Sequence, residues 1–165
     1  GEVVEFDCSH RLSEMTDVVR QSSHKTLVFA NFKHAITTIQ AHLDKEGITS
    51  DVIHGGISAK KRTEIFESFQ TKPDIQVLII QPQAASHGLT LTAANTIIWY
   101  APVTSVETYL QANARINRPG QHNPMTVVHI KGSEIEDRLY RMLKANINNH
   151  SKIIDLYYQE LADDD

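Results

Sequence analysis

Cysteine is almost missing from this chain. The one it has, Cys8, cannot close an internal disulfide, and the nine histidines include no pair at helical i,i+4 spacing that could supply two arms of a metal site. They read as surface or packing residues, and the chain itself is assigned no metal. Long apolar runs are missing too: nothing reaches the roughly 18 residues a membrane helix needs, and nothing has the build of a signal peptide. That is the pattern of an intracellular protein without a membrane partner. Excess positive charge is also absent, with 16 Lys and Arg against 20 Asp and Glu for a net charge of -4. Bulk charge therefore does not hold nucleic acid, which leaves only a local phosphate track. Last, there is no phosphate cradle. No G-x-x-x-x-G-K-[ST] occurs, "HGGISAKK" at 54–61 lacks the Gly-Lys-Ser/Thr order, and no Rossmann fingerprint stands in for it.

What is present fits one globular domain. At 165 residues, with 41% hydrophobic and 22% charged residues, the chain can bury a continuous core without disulfides. Strand-sized apolar runs recur at 25–30 (KTLVFA), 48–54 (ITSDVIH), 75–80 (IQVLII), 95–100 (NTIIWY) and 125–130 (MTVVHI). Between them lie helical periodicities, one over 32–46 with Phe32, Ile36, Ile39 and Leu43 on a single stripe, another over 58–69 with Ile65, Phe66 and Phe69. Strands alternating with helices predict βαβ units: an α/β fold with a mostly parallel sheet and helices on both faces. Ligands of such sheets gather beyond the carboxyl ends of the strands. Capping-box spacing places helix starts at Thr104 with Glu107 and at Ser133 with Glu136. A helix near 11–21 and a pair over 134–146 and 151–162 complete the expected set. Trp99 and Tyr100, closing a strand, read as core.

The segment 111–121, QANARINRPGQ, carries the sharpest chemistry. The helix opening near Ser105 is expected to end near Arg118, because Pro119 disfavours helical geometry in the residue before it. Gln111, Arg115 and Arg118 then fall on one stripe at i, i+4 and i+7. Two arginines on an exposed helix most often pair with nearby acids and contribute little. Here they stand between an amide and a Pro-Gly-Gln turn, and planar guanidinium forks suit phosphate oxygens at any working pH. Fingers without a cradle imply that the cradle lies on another domain or chain.

Q-A-x-x-R-x-x-R-x-G-Q resembles motif VI of superfamily 2 helicases, in the variant of the Swi/Snf-type DNA-dependent ATPases. In the matching order, TLVFANF resembles motif IV, VIHGGISAKKRTEIFESFQ the adjoining Gly-Gly, Arg and Phe pattern, and IIQPQAASHGLTLTAANTIIWYAP motif V with its following strand. IKGSEIEDRL is similar to the family's closing helix start. The resemblance covers about residues 23–145 and implies a RecA-like three-layer sandwich, the second lobe of a two-lobed motor. On that reading residues 1–22 are a helical lead-in, 23–148 the lobe, and 149–165 a C-terminal helix with an acidic tail. Ala114 and Ala101 stand where the Swi/Snf pattern has aspartates, APVTSVETY replaces its Asp-Pro-Asp-Trp-Asn-Pro signature, and QAASHG its Arg-Ala-Gly-Gly-Leu-Gly run. These departures favour a divergent viral or bacterial member over a chromatin remodeller, cytoplasmic in that case and nuclear if the source is eukaryotic.

The resemblance further implies roles. Arg115 and Arg118 would meet the γ-phosphate of ATP bound with Mg2+ mainly by a first RecA-like lobe of the same protein. Gln111 would position that phosphate or the attacking water, and Gly88 would let the backbone approach the nucleotide. Asn31, Lys33, Gly55, Gly56 and Gln83, in the loops after the first three strands, would face nucleic acid, with duplex DNA expected. Free N–H groups at helix starts suit phosphate. Lys60, Lys61 and Arg62 add charge, but Glu64 and Glu67 follow, and Arg62 suits a structural role. The lobe alone is expected to be inactive. The rival readings are a non-enzymatic binding module on the same scaffold and an RNA helicase lobe.

Overall fold

The computed structural model describes residues 9–85, 91–114 and 125–145. Its elements alternate as the apolar pattern requires: α1 (Ser9–Gln21), β1 (Lys25–Phe29), α2 (Lys33–Lys45), β2 (Ser50–Ile53), α3 (Ala59–Thr71), β3 (Val77–Ile80), a 3-10 turn (Pro82–Ala85), β4 (Ala94–Trp99), α4 (Val106–Asn113) and β5 (Thr126–His129). A last helix, α5, occupies 134–145. The expected helix over 151–162 lies outside the described residues. Among the described residues no helix is long and apolar enough to cross a membrane.

The five strands form one parallel sheet in the order β2-β3-β1-β4-β5. Side chains along a strand point alternately to the two faces, so a strand covered on both sides reads as an unbroken apolar run. β3 and β4 are buried at every position. Leu27, Phe29, Leu78, Ile80, Ile97 and Trp99 join α3, α4 and α5 in one core through Phe66, Phe69, Tyr109, Ala112, Tyr140 and Leu143. Val28, Ala30, Val77, Ile79, Ile98 and Tyr100 meet α1 and α2 on the other side through Leu12, Met15, Val19, Ile36, Ile39 and Leu43. Trp99 and Tyr100 are core residues, at 0% and 6% exposure.

Three local expectations are corrected. Phe32 does not belong to the apolar stripe of α2: it is the N-cap, in extended geometry, and 73% exposed. Its ring precedes the helix and so escapes the helical periodicity that buries Ile36, Ile39 and Leu43. The cap of α4 is Ser105, not Thr104; its Oγ accepts from the Thr108 N–H at 3.2 Å. A short hydroxyl reaches the donor three residues on, and Ser105, in extended geometry immediately before the first helical residue, is placed to do so. Finally, α4 closes at Asn113 with Ala114 as C-cap, short of Arg118. Asn113 is a weak helix former, and its Oδ1 is drawn to the buried Trp99, accepting from Nε1 at 2.9 Å. At α5, Ser133 Oγ accepts from the Glu136 N–H at 3.2 Å, as the capping box predicts. The return bond is displaced by one residue, because Glu136 Oε1 accepts from the Gly132 N–H at 3.1 Å and also pairs with Arg11.

Candidate functional site

All five strands run the same way, so their carboxyl ends share one edge of the sheet. The chain leaves β1 through α2 on one face, toward β2, and leaves β4 through α4 on the other face, toward β5. β1 and β4 are neighbours, and their outgoing loops diverge, which opens a crevice at the point where the strand order reverses. A cleft of about 320 Å³ occupies it, lined by Asn31, Phe32, Gln83, Pro102, Val103, Thr104, Ser105 and Thr108. Asn31 and Gln83, two of the five nucleic-acid candidates, thus stand together.

Hydrogen bonds link the neighbouring loops. Asn31 Nδ2 donates to Pro102 O at 3.4 Å, across the crevice. Asn31 Oδ1 is buried and has no partner among the described residues. Gln81, which sequence reasoning passed over, accepts from the Gly55 N–H at 2.8 Å and donates to Asn31 O at 3.4 Å. A signal existed: Gln81 is the first polar residue after four buried positions of β3.

The phosphate donors are distributed differently from expectation. Gly55 and Gly56 are exposed, but their N–H groups are not free, because Gln81 takes the first and His54 Nδ1 the second, at 3.0 Å. In so tight a turn these side chains reach the backbone donors before any ligand. At α3, Ser58 Oγ caps the Lys61 N–H at 3.2 Å, and the uncapped first-turn donors are those of Ala59 and Lys60. α2 is more open: Phe32 provides no side-chain cap, so the N–H groups of its first turn point outward beside the exposed Lys33. Arg62 is half-buried, with Nε lacking a partner among the described residues, whereas Lys60 and Lys61 are exposed.

The helix that leads toward the arginine motif is held by an aromatic ladder. Ring centroids step from Phe29 to Trp99 at 4.7 Å, to Tyr109 at 5.0 Å, to His129 at 5.8 Å and to Tyr140 at 4.6 Å. Burial raises the Tyr109 and Tyr140 phenols above their ordinary values and lowers the His129 imidazole to about 4, with Lys144 and Lys131 adding to the last effect. α4 buries Tyr109 and Ala112 in this ladder and turns Gln111 outward. There Gln111 Nε2 donates to Glu107 Oε1 at 3.2 Å, beside a depression of about 530 Å³ lined by Val106, Glu107, Leu110 and Gln111. Because α4 closes at Asn113, it carries only Gln111 of the expected stripe, and Arg115, Arg118 and Gly88 lie outside the described residues. Among the described residues no three His, Cys, Asp or Glu side chains converge as a metal site.

The helicase conserved C-terminal domain model matches residues 9–120, from α1 through the arginine motif. The mouse (Mus musculus) protein "Chromodomain-helicase-DNA-binding protein 1-like" is 25% identical over 147 residues, 88% of this chain and 16% of its own length. "DNA repair protein rad8" of Schizosaccharomyces pombe is 31% identical over 140 residues, 81% of this chain and 12% of that protein. The chain spans only 9% to 18% of the length of eight such curated relatives. Among solved structures, the C-terminal part of the Fun30 ATPase domain superposes with a TM-score of 0.75 at 18% identity, covering 81% of this chain and 44% of that one. The C-terminal domain of the DEAD-box protein Dbp5 gives 0.73 at 15% identity, covering 86% and 80%. At such identities the structures speak for the fold, and that fold is the RecA-like lobe of helicases. With the domain match spanning most of the described sheet, this chain belongs to the helicase conserved C-terminal domain family, in its Swi/Snf-type branch.

Proposed function

We propose that this chain is the second motor lobe of an ATP-dependent DNA translocase or helicase. Arg115 and Arg118 supply cationic fingers to the γ-phosphate of ATP held by a first lobe, and Gln111 orients that phosphate or the attacking water. The transition state of phosphoryl transfer spreads negative charge over equatorial oxygens, where one inserted arginine is worth roughly 10³–10⁵ in rate. The observation that supports this best is the setting of α4: an aromatic ladder fixes its inner face, and Gln111 faces solvent beside a broad depression just before the two arginines. The described residues fit a nucleotide's phosphates better than its metal: Gln111 can donate to oxygen, but no acid cluster is at hand, so the Mg2+ of the reaction belongs with the acids of the first lobe. When bound, that ion neutralises developing phosphate charge. This lobe orients and supplies positive charge.

Nucleic acid lies across the carboxyl edge in this reading. Lys33 and the uncapped first turn of α2 take phosphate, Asn31 and Gln83 offer amides from the crevice, and Gly55 and Gly56 allow close backbone approach. Gly88 brings motif V toward the nucleotide. The names of relatives such as the chromodomain-helicase-DNA-binding protein favour DNA, in a nuclear setting if the source is eukaryotic.

The test uses the intact protein that carries this lobe. Arg118→Ala and Arg115→Ala should each lower DNA-stimulated ATP turnover by orders of magnitude while circular dichroism and melting temperature hold. Parent-like turnover in both variants would refute the finger assignment. Stimulation by RNA in place of DNA would redirect the substrate, leaving the ATPase reading intact.

A further inference from the structure

Gln81 takes no part in the phosphate chemistry proposed above, yet the nucleic-acid loops meet through its side chain. β3 lies between β2 and β1, so the first residue beyond β3 is flanked by the loops of both neighbours. The backbone of Gln81 is fixed on both sides. Its N–H donates to Ile53 O at 3.0 Å, extending the ladder to β2, and its C=O accepts from the Ala84 N–H at 2.9 Å, opening the 3-10 turn. Only the side chain remains to span the gap, and it does so in both directions, accepting from the Gly55 N–H at 2.8 Å and donating to Asn31 O at 3.4 Å. The chemistry requires an amide. A carboxylate could only accept, a lysine could only donate, and a serine hydroxyl is too short to reach two loops. Asn31 continues the line through its own amide to Pro102 O. One string of hydrogen bonds therefore crosses the ends of β2, β3, β1 and β4.

We propose that Gln81 is a positioning residue for nucleic acid, whose amide fixes the Gly55–Gly56 turn relative to the Asn31–Lys33 helix start so that both loops meet one sugar-phosphate backbone in a single register. The inference rests on the nucleic-acid reading of this edge. Two loops tied together beforehand lose little freedom when a strand docks; untied, each must be ordered at the moment of binding, which weakens affinity without touching the ATP site.

The experiment compares the intact protein with Gln81→Met, which keeps length and neutrality but makes neither bond, and with Gln81→Asn, which keeps the amide but is one methylene too short to span both loops. DNA affinity is read by fluorescence anisotropy and as the DNA concentration giving half-maximal ATPase stimulation; KM for ATP, turnover at saturating DNA and melting temperature are measured alongside. Losing two neutral hydrogen bonds from a preorganised site should weaken DNA binding about tenfold in both variants, with KM for ATP and saturated turnover within about twofold of the parent. Parent-like DNA binding overturns the proposal, as does a loss that appears equally in KM for ATP and in saturated turnover. A lost melting transition in both variants makes Gln81 a stability residue and overturns it as well. If the parent itself binds no DNA, the proposed function fails and this inference with it; if the parent binds and both variants match it, only the role of Gln81 falls.

Discussion

The Tyr109 hydroxyl and His129 Nε2 lie 2.6 Å apart, linking α4 to β5 inside the aromatic ladder. Burial, reinforced by Lys144 and Lys131, lowers the imidazole from 6.5 to about 4, so the ring is neutral in the fold at neutral pH. In the unfolded chain it binds a proton near 6.5. Between those values the unfolded state holds more protons, and stability must fall as pH falls. Chemical denaturation at pH 7, 6 and 5 should show a declining midpoint, and His129→Phe should flatten the decline. The Glu46 and Asp137 carboxylates, held below their ordinary values of 4.5 and 3.8 by Arg20 and Lys131, add their own loss only lower in the range. Those two carboxylates act below the interval from pH 7 to 5, and the difference in slope between the parent and His129→Phe reads the histidine; an unchanged slope in His129→Phe would refute the assignment.

Gly132 makes room for Arg11. A Cβ there would overlap the Arg11 guanidinium, which donates to Tyr100 O at 2.8 Å, pairs with Glu136 and stands over the Tyr100 ring at 5.8 Å. Gly132→Ala should cost about 1–3 kcal/mol by displacing this network. In an Arg11→Ala background the same change should cost almost nothing. Additive losses in the double-mutant cycle would show that the glycine acts through its backbone instead.

Phe32 and Phe69 separate exposure from burial. Phe69 is 0% exposed, and Phe69→Ala should cost about 3–5 kcal/mol. Phe32 is 73% exposed, and Phe32→Ala should change stability by no more than about 0.5 kcal/mol. A comparable loss from Phe32 in thermal melts would restore it to the core.

The cap of α4 gives a third contrast. Ser105→Ala should destabilise by about 1 kcal/mol, and Thr104→Ala by no more than about 0.5 kcal/mol. Equal losses would favour a capping box one residue earlier.

The strands were legible because burial on both faces leaves short, mostly apolar runs, VLII in β3, TLVF in β1 and IIW at the end of β4. Helix faces such as Ile36, Ile39 and Leu43 were legible for the same reason, since burial imprints a period. Strand order left no such imprint: that β3 inserts between β2 and β1 depends on which pairings close the sheet, not on any one residue. The site was half-legible. The family resemblance pointed to Asn31 and Gln83, which do share a crevice, whereas the place of Gln81 just beyond β3 marked it only as a polar strand end, and its bridge between loops distant in sequence needed the fold to be seen. Phe32 and Thr104 misled because a stripe and a capping box each fit one residue too early, before the helix that the structure starts at Lys33 and at Val106.

The placement of β1 at the middle of the sheet carries a kinetic cost. Its registered partners are the stretches around Val77 and Trp99, so nothing encoded before α3 can hydrogen-bond this strand in its native place. During synthesis β1, α2 and β2 emerge as an unzipped trio whose apolar faces await β3 as a wedge. High contact order of this kind slows folding and prolongs the life of sticky intermediates. A nascent chain halted before Val77 should accordingly be captured by chaperones, and one extended past Trp99 should be released.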